Sequence, residues 1–192
     1  MKQYQQFWFF RITDANAFKP SLGKLVADGV ITSSADAQNH RKNVHATKNS
    51  KPGTVHEIAA VNISFTFKGM KKVSNHRGLY SCESSTKPSL LQLSKDEFRD
   101  EAFCRGQEGD MVGFGRDKPE EWIQEFRTLK DKNGVVTQEG VDGVVLICGS
   151  EDKVKATTDE LAREYFSSTQ GVEHVLTLDG KERPGENRGH EQ

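Results

Sequence analysis

The chain has 192 residues, with 27 basic and 28 acidic side chains, a net charge of −1 and 34% apolar residues. That length suits one domain to one and a half with a real core, and the mean hydropathy of −0.71 points to long solvated loops. The charge balance excludes nucleic acid or a polybasic membrane contact as the main driver of function, and no run approaches the ~18 apolar residues of a membrane span.

Phe7–Ile12 is short, aromatic and free of Gly and Pro, which predicts a buried strand. Asp14 offers an N-cap to a helix with Phe18, Leu22 and Leu25 at helical spacing and Pro20 in its early turns; Gly29 is the stop signal. Val30–Thr32 reads as an extended segment. Residues 33–54 are dominated by polar types and close on Pro52-Gly53, which predicts an irregular loop. His40 and His45 belong to that stretch and His56 follows it; no carboxylate or Cys stands at metal-ligand spacing, so they read as solvated.

Ile58–Phe67 alternates Val61, Ile63, Phe65 and Phe67 with polar residues, the period of a half-buried strand. Gly69 and Met70 begin a short helix, and 73–93 shows no periodicity and reads as a second irregular loop. Ser94–Glu97 is a capping box ahead of Phe98, Ala102 and Phe103. Gly106, Gly109, Gly113 and Gly115 lack the Gly-Lys-Ser/Thr or Gly-x-Gly-x-x-Gly context of a phosphate loop and read as bends. Trp122, Ile123 and Phe126 suggest one amphipathic turn, and Asn133-Gly134 marks a polar turn within 130–138. The clearest unit is last: strand Val141–Cys148, a helix capped by Ser150 with Val154, Leu161 and Tyr165 on one face, Gly171, and strand Val172–Leu178.

Strand–helix–strand, an irregular middle and a second strand–helix–strand predict an α+β ferredoxin-like sandwich, with an antiparallel sheet and helices packed on one face. The expected organisation is a single domain over 1–182, with loops at 33–54 and 73–93 and a tail at 183–192. Cys82, Cys104 and Cys148 are too few and scattered for a disulfide framework, and Cys148 reads as a buried thiol. No secretory leader is visible, so the expected location is cytoplasmic.

No catalytic, cofactor-binding or metal-ligating residue is assigned from the residues alone. There is no Gly-x-Ser-x-Gly elbow and no His-Glu-x-x-His. Glu120-Glu121 and Glu182/Glu186 read as solvated carboxylates, and Arg183, Arg188 and His190 as a polar tail.

Several segments taken in order resemble the N-terminal half of the fungal dye-decolourising peroxidases. They are Phe7–Asp14 leading to Phe18, Ile31–Ser33, Ala60–Thr66 with Lys68–Met70, Asp96–Phe98 to Gly106, Gly140–Leu146, and Gly180–Gly185 running into Gly189–Glu191. The resemblance implies two ferredoxin-like halves in the family, with haem held mainly by the second. It also implies that the Phe-Gly-x-x-Asp-Gly motif with its acid–base Asp, the distal Arg and the axial His would follow Gln192, so the tail would lead into that second half. The expectation is therefore a truncated relative: haem in the family, no cofactor in this chain, and no peroxidase activity of its own. The alternatives are a non-enzymatic binding or signalling protein built on the retained domain, and one half of a split peroxidase. The face left by the missing half is expected to serve self-association or a protein partner.

Overall fold

In a computed structural model, residues 4–50, 59–74, 100–110 and 118–181 are described. Strand β1, Tyr4–Ile12, lies at the centre of the main sheet and places Tyr4, Gln6, Trp8, Phe10 and Ile12 on its buried side. Helix α1, Ala15–Ala27, starts where Asp14 accepts the Asn16 and Ala17 amides at 2.8 and 3.3 Å. Pro20 sits inside α1, and the Asn16 carbonyl that loses its helical partner there is exposed to water.

Helix α2, Ser34–Ser50, replaces the loop expected over 33–54. Its start is a reciprocal cap: Ser33 Oγ accepts the Asp36 amide at 3.1 Å, and Asp36 Oδ2 accepts the Ser33 amide at 2.9 Å. The helix is polar on every side, so it carries no apolar period. Val30–Thr32 forms no strand, yet Thr32 donates its amide to the Val61 carbonyl and accepts the Val61 amide on Oγ1, both at 2.9 Å.

Strand β2, Ala60–Phe65, is followed by helix α3, Phe67–Val73, and α4, Glu101–Asp110, which breaks at Gly106 with φ +71°. Of the loop expected over 73–93, Val73 is instead the last residue of α3, and 75–93, the capping box at Ser94–Glu97 and the 183–192 tail lie outside the described residues. Two 3-10 turns, Pro119–Glu121 and Gln124–Phe126, stand where one amphipathic turn was expected. A small hairpin follows, β3 Leu129–Lys130 with β4 Val136–Gln138, turning at Gly134 (φ +80°). Strand β5, Gly143–Gly149, helix α5, Glu151–Glu164, and strand β6, Val172–Lys181, complete the chain. Ser150 is the α5 N-cap residue, but its buried hydroxyl makes no capping bond.

The sheet order is β2-β5-β1-β6, antiparallel throughout, the ferredoxin-like arrangement expected from the order of elements. Against one face pack Phe18 and Leu25 of α1 and Val154 and Leu161 of α5, closing a core around Phe10, Ile147 and Val172. Phe10 and Phe18 are fully buried with ring centroids 5.9 Å apart, and each such side chain contributes about 1.5–3 kcal/mol. Cys148 is buried, as expected of a thiol at the end of an apolar strand. No helix among the described residues is long and apolar enough to cross a membrane.

Candidate functional site: an open sheet face, an aromatic pocket and a buried ion pair

Strand alternation that buries even-numbered β1 residues sends Phe7 and Phe9 to the other side of the sheet. The register sets Phe7 between Leu146 and Leu178, and Phe9 between Val144 and Leu176. Among the described residues no helix covers this face; Leu178 is 45% exposed and Phe7, Phe9, Val144, Leu146 and Leu176 are half-buried. One end is covered by the 3-10 turns, where Phe126 meets Phe9 edge-on at 4.9 Å. Arg11 anchors that cover by donating to the Glu125 carbonyl at 3.3 Å and the Gly140 carbonyl at 3.4 Å, while pairing with Glu173 at 2.9 Å.

Between this cover and helices α3 and α4 lies a pocket of about 920 Å³. Its aromatic walls are Phe9, Phe65, Phe67, Phe103, Trp122 and Phe126, drawn from four separate stretches of chain. Lys68, Lys71 and Arg105 also line it, and no carboxylate stands among its described lining residues. Lys71 lies over the Phe67 ring at 5.0 Å. Burial is the main cause holding its ammonium below the usual lysine pKa; the charge of Cys104 opposes the shift.

Beneath the pocket floor the α3–sheet junction is fixed by charge. Asp142 is fully buried, and its Oδ2 accepts the Ile12 amide at 2.8 Å and Lys72 Nζ at 2.7 Å. Lys72 Nζ also donates to the Ile12 carbonyl at 3.0 Å and to the Glu139 carboxylate. The Lys72 hydrogen bond, reinforced by Lys68 at 3.1 Å, holds Glu139 below the usual carboxylate pKa. Asp142 Oδ1 has no partner among the described residues. The Asp142 carbonyl accepts the Thr66 amide at 2.9 Å and hydroxyl at 3.2 Å, and Thr66 Oγ1 in turn caps α3 by accepting the Gly69 amide at 3.0 Å. Gly69 is required for this approach, since a Cβ there would sit 2.0 Å from the Asp142 oxygen.

The residues weighed from sequence do not converge here. His40 and His45 lie on α2, and His174 stacks on Trp8 at 4.9 Å and hydrogen-bonds Thr177 at 2.8 Å. Glu120 and Glu121 are outside the pocket lining, in a 3-10 turn. His56, Cys82, Arg183, Arg188 and His190 lie outside the described residues. No group of three or more metal-ligand side chains occurs among the described residues. The pocket itself was missed; the signal available was the Trp122-Ile123…Phe126 cluster within a polar stretch.

An antiparallel β2-β5-β1-β6 sheet with helices on one face and an apolar opposite face defines one unit of an α+β barrel. A family model described as "DyP dimeric alpha+beta barrel domain" matches residues 1–184, and the chain belongs to that family. It is 29% identical over 192 residues to a dye-decolorizing peroxidase from Exidia glandulosa, and 24% identical over 190 residues to Peroxidase 2 from Mycetinis scorodonius. Each match covers 99% of this chain and 29% of the relative. Among solved structures, an ancestral D-type dye-decolorizing peroxidase matches with a TM-score of 0.66 and 26% identity, over 99% of this chain and 34% of that one. A mutant of the Pleurotus ostreatus enzyme matches in fold with a TM-score of 0.68 at 23% identity, over 99% of this chain and 35% of that one. The chain thus spans about a third or less of the relatives it matches.

The family is one of haem peroxidases. Haem chemistry needs an axial donor and an acid–base group on the opposite side. The described pocket lining includes no histidine, tyrosine, methionine or carboxylate, and Cys104 is its only side chain of ligand type. The described lining of this pocket does not fit a haem site.

Proposed function

We propose that this chain is the non-haem half of a peroxidase-type scaffold, a rigid α+β unit that docks through its helix-free sheet face against a haem-bearing half. The complete scaffold would oxidise dyes and phenols with hydrogen peroxide; this chain would contribute the docking sheet and no iron ligand or acid–base group. The observation that carries the reading is the apolar face of Phe7, Phe9, Val144, Leu146, Leu176 and Leu178, which no helix among the described residues covers. Such a face is stable in water only at a cost, and a second sheet packed about 10 Å above it removes that cost.

The test is an absorption spectrum of the purified chain with and without hemin, followed by peroxide and a dye. The expected result is no stoichiometric Soret complex and no turnover. A one-to-one Soret complex that oxidises the dye in the presence of peroxide overturns the reading. The same face supports a second reading, in which the haem-bearing half is a separate polypeptide. Co-purification with a haem protein, lost on charging Leu146 and Leu178, is the outcome expected of that arrangement; a haem-free monomer that captures none argues against it.

A further inference from the structure

The 920 Å³ pocket is large for a packing defect and falls in the range of sites that hold small organic ligands. What it selects follows from which of its polar groups are already engaged. Lys68 pairs with Glu139 at 3.1 Å. Lys71 lies over the Phe67 ring at 5.0 Å, and Arg105 has a partner of its own. An ion entering among Phe9, Phe103, Trp122 and Phe126 would therefore lose its hydration without gaining a fixed counter-charge. Two neutral groups stand differently. The hydroxyls of Ser64, on β2 opposite Val144, and of Thr128, just ahead of β3, line the same space. Neither hydrogen-bonds a described residue. Thr66 is the contrast, since its hydroxyl donates to the Asp142 carbonyl and accepts the Gly69 amide. A hydroxyl both donates and accepts, so it can meet an uncharged alcohol or carbonyl head with no counter-ion.

We propose that this pocket binds a small uncharged alcohol or ester, with its apolar body among Phe103, Trp122 and Phe126 and its polar head towards the Ser64 and Thr128 hydroxyls. The site does not rest on the docking reading. It shares Phe9 and Val144 with the sheet face, whereas Phe7, Leu146, Leu176 and Leu178 lie outside its described lining. Two kinds of body suit such walls, a flexible aliphatic chain and a fused ring system, and a probe of each is used.

The full chain is titrated at neutral pH with octanol and with naphthalenemethanol, and with the carboxylate and the ammonium of each skeleton, while tryptophan fluorescence and binding heat are followed. One-to-one saturable binding is expected for at least one alcohol. Its carboxylate and its ammonium should each bind about tenfold or more weakly, because each brings an unmatched charge into an apolar space. The tighter alcohol identifies the kind of body. Trp122→Phe should remove the fluorescence change while the binding heat remains. Ser64→Ala/Thr128→Val should weaken the alcohol by about three- to tenfold, the size of one neutral hydrogen bond, with circular dichroism unchanged. Equal or tighter binding of either ion, no saturable binding of either alcohol, or an alcohol affinity untouched by the hydroxyl double variant would overturn the proposal. The comparison of alcohol with ion is made on the unaltered chain, so it stands whether or not the variants fold. Leu178→Asp, which addresses the docking face alone, should leave the alcohol titrations unchanged, so the two readings fail separately.

Discussion

Lys72 Nζ lies 2.7 Å from the Oδ2 of Asp142, a carboxylate with no exposure to solvent, and the two residues are 70 positions apart in the chain. The pair ties α3 to the entrance of β5 and to the end of β1 through the Ile12 amide. Lys72→Met therefore leaves a buried charge without its cation and should cost about 3–5 kcal/mol in urea denaturation. Adding Asp142→Leu to that variant should recover part of the loss. A double variant as unstable as the sum of both singles would show that the pair does not couple.

Gly69 tests the same junction by shape rather than charge. A methyl group there meets the Asp142 oxygen at 2.0 Å and its carbonyl carbon at 2.8 Å, both backbone atoms with little room to retreat. Gly69→Ala should destabilise by about 1–3 kcal/mol, despite the better helix propensity of alanine. Gly23→Ala is the matched control, since its added Cβ meets nothing within 4 Å.

Acid should unfold the protein partly through Glu139 and Asp179. The Lys72 hydrogen bond lowers the first and the Gln6 hydrogen bond, at 2.8 Å, lowers the second. Depressed folded values mean that the stabilisation is complete above the ordinary carboxylate values, 4.5 and 3.8, and is lost as pH falls through the lower folded ones. Urea midpoints should hold steady above about pH 5 and drop as pH falls from there towards about 3. Glu139→Gln and Asp179→Asn should each flatten that dependence.

Alkali acts through two buried tyrosines. Burial first, and then Asp179, pushes Tyr4 up to about 12; for Tyr165 the 2.7 Å bond to Asp28 comes first and burial second, also to about 12. The folded protein keeps protons that the unfolded chain releases near 10.0, so stability is present below that value and declines as pH rises towards 12. Phenolate absorbance at 295 nm should rise late and together with unfolding. Tyr165→Phe should lose about 1 kcal/mol at neutral pH and weaken the alkaline dependence.

The open face makes its own prediction. Leu146→Asp/Leu178→Asp should reduce self-association at high protein concentration in sedimentation velocity, with the circular dichroism spectrum retained. Unchanged association would place the contact elsewhere.

The sheet and the two helices packed on it were legible because their residues announce them locally. Asp14 caps α1, β2 alternates, and Gly171 in a left-handed turn (φ +72°) ends the connection into β6. Helix α2 was not legible by period, since apolar spacing presupposes a buried side and α2 has none. Its Ser33–Asp36 cap was present in the sequence and would have been enough to suggest a start. The pocket was illegible for a different reason. Phe9, Phe67, Phe103 and Trp122 come together only after the sheet, α3 and α4 are in place, and each looks like ordinary core or loop on its own. The Lys72–Asp142 pair is hidden likewise, because nothing local distinguishes one lysine of the Lys71-Lys72 pair as the one whose partner is a buried acid.

Strand β6 bounds one side of the described sheet, and ten residues of outer strand are an invitation to templated fibril growth. The chain discourages it without sacrificing the strand. The register with β1 slips between Phe9 and Phe10, and Glu173, Asp179 and Lys181 place exposed charges along the strand. A second strand laid alongside would meet both a misaligned ladder and charges already engaged within the molecule. Encounters between molecules are thereby turned from the rim of the sheet towards its broad surface, where contacts can close instead of propagate.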